Sequence, residues 1–184
     1  MAKSDTFFIR SQVITDITTQ DRQEVEIDLG AYVNLGLKQS TLLRVHGVQI
    51  QLCDSQGLVP LMDAAVTAGL SKSAYCNAAI TTKRYINTAD ADAMPQLNDD
   101  ATMYSSSFIM TNFNTDKDQG IASHDLDIAP QHLQNGYLVG VDTLYFYGAA
   151  DDAWDEAPYL NVLIECSLES ATQSNAVALA LSQQ

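Results

Sequence analysis

Apolar positions along this chain recur mostly at every second residue, the period of a strand with one face in a core and the other toward solvent. In residues 23–33, Val25, Ile27 and Leu29 alternate with Glu24, Glu26 and Asp28. In residues 159–170, Leu160, Val162, Ile164, Cys166 and Leu168 form one set, while Tyr159, Asn161, Glu165 and Glu169 fall mostly in the other. Residues 41–53 begin in one phase with Leu43 and Val45 and continue in the other with Val48, Ile50 and Leu52. The change falls at His46-Gly47, and a phase slip at glycine predicts a β-bulge. Further strands are expected over 6–15, 74–87, 102–113 and 137–147, with a short, weaker one at 121–128. Eight extended segments result.

Helix is scarce. Residues 60–70 carry proline near the start and glycine near the end, the asymmetry expected of a short helix. Residues 129–135 suit a single turn, and the tail at 175–181 reads equally as a helical stub or a final strand. Several connections between strands are long, which disfavours an up-and-down meander and favours the crossing connections of Greek-key and jelly-roll sandwiches. The pattern therefore predicts an all-β fold: an eight-stranded antiparallel jelly-roll β-sandwich with one or two short helices. Residues 1–184 are expected to form a single domain, since the length allows one sizeable core and no composition break suggests a linker. The longest loop, 88–101, is acidic and expected to be exposed.

Charge sharpens this picture. Charged residues make up 17% of the chain, below the usual share of about a quarter, and the formal net charge is −14. Residues 1–85 are balanced, whereas 86–184 hold fifteen acids and one base, Lys117. No cluster of Lys and Arg is present to grip a phosphate backbone or an anionic lipid surface, so direct nucleic-acid binding is not expected. The acidic surplus keeps the chain soluble, and it also suits a salty medium, where self-repulsion is screened. The N-terminus is polar and no apolar run is long enough to span a bilayer, so synthesis and folding in the cytoplasm without export are expected. Cys53, Cys76 and Cys166 are widely spaced in strand-like runs and are expected as free, buried apolar residues rather than zinc ligands or disulfides.

Candidate chemistry is sparse. His46, His124 and His132 are the only histidines, and no nucleophile elbow accompanies them. They are expected to be structural. The carboxylate pairs Asp99-Asp100, Asp151-Asp152 and Asp155-Glu156 are the raw material of a glycosidase, with Trp154, Tyr145, Tyr147 and Tyr159 as aromatics for sugar stacking. Adjacent acids in polar loops are more often simply solvated, and Tyr145 and Tyr147 sit at strand spacing. Asn114, Asp116 and Asp118, closed by Gly120, resemble a calcium loop. The run departs from the EF-hand pattern in its late glycine, in Asp125 at the twelfth position and in its strand-like flanks, so a polar turn over 114–120 is expected instead. No phosphate loop or dinucleotide fingerprint occurs. No catalytic, cofactor-binding or metal-binding residues are assigned, and no small-molecule substrate is expected.

Three stretches carry a family resemblance: the opening strand Thr6-Phe-Phe-Ile-Arg-Ser-Gln-Val13, the long Leu42-Leu-Arg-Val-His-Gly-Val-Gln-Ile-Gln-Leu52, and the closing pair 137–147 and 159–168. In length and pattern the chain resembles the single jelly-roll major capsid proteins of tailless icosahedral viruses that enclose double-stranded DNA within an internal membrane. The resemblance implies a structural viral coat protein, located in the virion, that self-assembles into capsomers of an icosahedral shell. It implies as partners copies of itself and a second capsid protein, with an internal viral membrane nearby separating the shell from the genome. A lectin-like or carbohydrate-binding sandwich is the alternative. A cupin-like enzyme is a further one, disfavoured because the three histidines lack a close pair.

Overall fold

The two-residue alternation is realised as antiparallel strands in two packed sheets. The computed structural model describes residues 5–36, 39–65, 67, 69–86, 93–116 and 121–183. Among them lie β1 (Phe7–Ile14), β2 (Gln23–Asp28), β3 (Gln39–Cys53), β4 (Lys72–Thr81), β5 (Thr102–Asn112), β6 (Ile121–Ile128), β7 (Tyr137–Val139), β8 (Thr143–Ala150) and β9 (Tyr159–Thr172). A 3-10 turn, Pro130–His132, precedes β7, and helix α1 (Gln173–Ser182) follows β9. One sheet has the order β1-β9-β3-β7 and the other β2-β8-β4-β5-β6.

The pairings are nested: β1 with β9, β2 with β8, β3 with β7, and β4 with β5. The chain is therefore one long antiparallel hairpin doubled on itself, its successive pairs placed alternately in the two sheets. It is sewn laterally where β9 meets β3 and β8 meets β4. This wrap is the jelly roll, with β6 added as an extra edge strand beside β5. The inward set of β9 packs with Leu43, Val45 and Val48 of β3 against Ile80, Leu144 and Phe146 of the opposite sheet, all in one buried cluster. Each such side chain contributes about 1.5–3 kcal/mol by leaving water. The bulge expected at His46-Gly47 is present as a register shift between Val45 and Gly47. All three cysteines are free and buried, and burial pushes the Cys166 thiol up to about 12.

Four differences from the sequence pattern have physical causes. The run 137–147 is two strands, β7 and β8, in different sheets: the chain crosses the end of the sandwich at Gly140, Val141 and Asp142. Residues 60–70 form no helix among those described. Met62 instead bridges Trp154, and Asp63, Ala65 and Asp155 exchange backbone bonds with Ala153, Asn114 and Leu61, so tertiary pairing overrides the local signal. β2 stops at Asp28 because Tyr32 and Val33 turn back to donate to the Leu29 carbonyl. β4 stops at Thr81, where the chain turns: the Thr81 hydroxyl donates to the Lys83 carbonyl, and Tyr85 N–H then donates to the Tyr147 hydroxyl rather than to a strand. The single turn near 129–135 is the 3-10 turn, and the tail is α1 rather than a strand.

Both ends of the sandwich carry connecting loops. Residues 15–22, 54–65, 113–116 and 151–158 gather at one end, where β1, β3, β5 and β8 finish. Residues 29–36, 82–84 and 94–101 gather at the other, while Tyr85 and Ala93 reach back to accept from Arg22; α1 is seated at this end through Gln183, which accepts from Gly140 N–H at 2.8 Å and donates to the Leu138 carbonyl at 2.7 Å.

Candidate functional site

The candidate catalytic groups do not come together. His46 lies on the outer face of the four-stranded sheet, its Nε2 2.7 Å from Ser167 Oγ. His124 stacks on Phe108 with ring centroids 4.1 Å apart, and His132 ends the exposed 3-10 turn. Among the described residues no three His, Cys, Asp or Glu side chains form a group able to hold a metal. Asp99 lies at the α1 end, where its Oδ1 caps Ala101 N–H. Asp151 lies at the other end, accepting from Tyr75 N–H and Ala153 N–H. Burial raises the Asp151 carboxyl, partly offset by those two backbone bonds. Asp99 and Asp100 line a cavity of about 580 Å³ at the α1 end, whereas Asp151, Asp152, Asp155 and Glu156 lie in the 151–158 connection at the other end.

Trp154 is withdrawn from any stacking role. It is 2% exposed, and its indole N–H donates to the Tyr75 carbonyl at 3.0 Å. Tyr147 is fully buried, and the Arg22 guanidinium lies 5.3 Å from its ring and 5.0 Å from that of Tyr85, pinning the 15–22 loop. Of the calcium-like run, Asn114 and Asp116 belong to a turn held by Asn112, whose amide donates to the Asp116 carbonyl; Lys117, Asp118, Gln119 and Gly120 lie outside the described residues.

What the structure offers instead is surface. The outer face of the four-stranded sheet carries a shallow groove of about 720 Å³ lined by amides and apolar side chains, among them Gln12, Gln49, Gln51, Asn161 and Leu163. Gln12 donates to Asn161 Oδ1 at 2.6 Å. Phe8 and Ile14 on β1 are 50% and 47% exposed. At the 54–65 end, Leu58, Val59, Leu61, Leu70 and Phe113 are also exposed. Ile86, Leu97, Ile121, Leu133, Val177 and Leu181 are exposed elsewhere, so exposed apolar side chains are spread over the surface, with one group gathered at the 54–65 end.

Open strand edges complete the inventory. β6 is exposed along most of its length and, among the described strands, pairs only with β5. β7 covers only Leu43 to Val45 of β3. Beyond the bulge, the Gln131 side-chain amide takes over, accepting from Val48 N–H and donating to Val48 C=O, each at 3.0 Å. Those two bonds show that the Val48 main-chain groups point away from β9. By antiparallel alternation those of Ile50 and Leu52 do too, and no described strand meets them there. Such edges are templates for pairing with another chain.

Sequence comparison with family models and with curated proteins gives no match. Solved structures do align. VP1 of human polyomavirus 12 with 3'-sialyllactosamine superposes at TM-score 0.43 and 10% identity, covering 91% of this chain and 100% of that one. VP1 of New Jersey polyomavirus without ligand gives 0.46 and 10%, covering 91% and 98%. Merkel cell polyomavirus VP1 with disialyllactose gives 0.45 and 10%, covering 92% and 97%. The fold assignment rests on the strand order described above, independently of these superpositions.

The stacked pair on β6 gives a testable pH response. Desolvation lowers the His124 pKa, with a smaller opposing pull from Asp125. The unfolded chain then binds the proton more readily than the folded one, so stability rises with pH through this region and falls on acidification below about 6.5. The melting temperature of His124→Phe is expected to fall less than that of the wild type between about pH 7 and pH 5. Parallel curves for the two proteins would exclude this role for His124.

Proposed function

We propose that this chain is a structural coat subunit that self-assembles into capsomers of an icosahedral viral shell. The observation that carries the reading is the presence of open strand edges and exposed apolar side chains on a jelly roll whose candidate reactive groups are dispersed. A subunit of this kind works through complementary surfaces, and stable interfaces bury roughly 1,200–2,000 Å² with apolar anchors and polar rims. The fold presents such anchors on the four-stranded face and at the 54–65 end.

In this reading residues 1–184 act as one jelly-roll domain in the virion, without turnover, metal or cofactor. A second capsid protein takes the remaining edges. The chain carries no basic cluster, which suits a shell separated from its genome by an internal membrane. Electron microscopy of the purified full chain tests this directly. Regular capsomers, sheets or shells are expected. Uniform 20 kDa particles that bind glycans on an array would contradict the coat reading and favour the carbohydrate-binding one.

A further inference from the structure

We propose that a second copy of this chain packs against the outer face formed by β1, β9 and β3, with Arg10 of each copy set against Glu165 of the other. This deepens the coat-subunit reading and rests on it. Two copies that each carry a net charge of −14 repel, so the face on which they meet must be one where little of that charge resides. The four-stranded face meets this condition. The charged side chains that β1, β9 and the described part of β3 turn outward are Arg10, Arg44, Glu165 and Glu169, two of each sign. The strands of the five-stranded sheet instead carry Glu24, Glu26, Asp28, Asp125 and Asp127 against the one base Lys72, with Glu24 paired to Arg84.

Within the neutral face, one pair is internally satisfied and the other is not. Arg44 and Glu169 bind each other through two bonds of 2.7 Å. Arg10 has no carboxylate within ion-pair distance among the described residues, and its guanidinium lies 5.9 Å from the Phe8 ring. Glu165 is exposed and likewise unpaired among them. In the β1–β9 register Phe8 stands opposite Glu165 and Arg10 opposite Leu163, so the two charges sit diagonally on neighbouring strands. A twofold axis lying in the plane between the two faces and passing between Arg10 and Glu165 sets each charge over its opposite on the other copy, giving two cross-copy ion pairs for one contact. Around them stand apolar anchors, Phe8, Leu163 and Ile14, and the adaptable amides of the groove.

Charge exchange tests the pairing. Sedimentation velocity is run on the full chain at a salt concentration where the wild type associates, with Arg10→Glu, Glu165→Arg and the double exchange measured beside it. Each single substitution is expected to weaken association by about tenfold or more, and the double exchange to restore it. The two singles move the net charge in opposite directions, so a loss in both is not a bulk-charge effect. Unchanged melting temperatures confirm that the fold is intact, as expected for two exposed side chains. Singles that associate as tightly as the wild type, or a double exchange that stays dissociated, would overturn the proposed contact while leaving the coat role standing on another interface. A wild type that stays monomeric at every concentration and salt would overturn both.

Discussion

Gly136→Ala is expected to destabilise the fold by about 4 kcal/mol, combining backbone strain with overpacking. Gly136 has φ +65°, and a Cβ there would lie 2.2 Å from the Val45 carbonyl oxygen. No rotamer relieves this clash, because the obstacle is backbone on both sides. The position matters for the wrap: Gly136 closes the turn that donates to Leu133 and delivers Tyr137 onto Val45, where β7 begins. Loss of that turn uncovers the β3 edge beside the bulge. For a chain of this size the cost corresponds to a melting temperature lower by roughly 8–16 °C. A calorimetric scan that finds Gly136→Ala within 2 °C of the wild type would show that the turn is not under this constraint.

Arg44→Leu is expected to cost a similar amount, about 3–5 kcal/mol, for an electrostatic reason. The Glu169 side chain is 5% exposed and is gripped in a fork by Arg44 Nε and Nη2, while Arg44 also donates to the Asn135 carbonyl. Removing the guanidinium leaves a carboxylate that has lost its solvent without keeping its counterion. The double variant Arg44→Leu with Glu169→Leu removes both charges and is expected to recover most of the loss. Denaturant midpoints of the two singles and the double form a thermodynamic cycle, and additivity of the singles would contradict a coupled pair.

The sequence was most legible where one face of a strand is buried. The alternation in β9 and the phase slip at His46-Gly47 both follow from a period of two, and both appear where expected. The split between β7 and β8 was hidden, because Tyr137 to Tyr147 is apolar except for Asp142 and Thr143, and at the crossing Leu179 and Ala180 of the α1 helix fill the space a side chain at Gly140 would need. The helix signal at 60–70 was a true local signal that lost to pairing with residues 153–155 and 114. Trp154 looked available for a ligand because it sits among acids in a loop, yet Met62 and Tyr75 enclose it from distant strands. The candidate surface was equally hidden. Residues 6–15 declare a strand, but that Phe8 stands beside Glu165 is a property of the nested wrap and has no local signature.

Screening offers the sharpest single measurement of the coat role. Raising salt from about 0.05 M to about 1 M shrinks the electrostatic range from roughly 14 Å to roughly 3 Å, which removes repulsion between acidic copies while leaving short-range contacts largely in place. The sedimentation coefficient of the purified chain is therefore expected to climb from that of a 20 kDa monomer to that of large assemblies across this range. A chain that sediments as a monomer throughout would contradict the coat role outright.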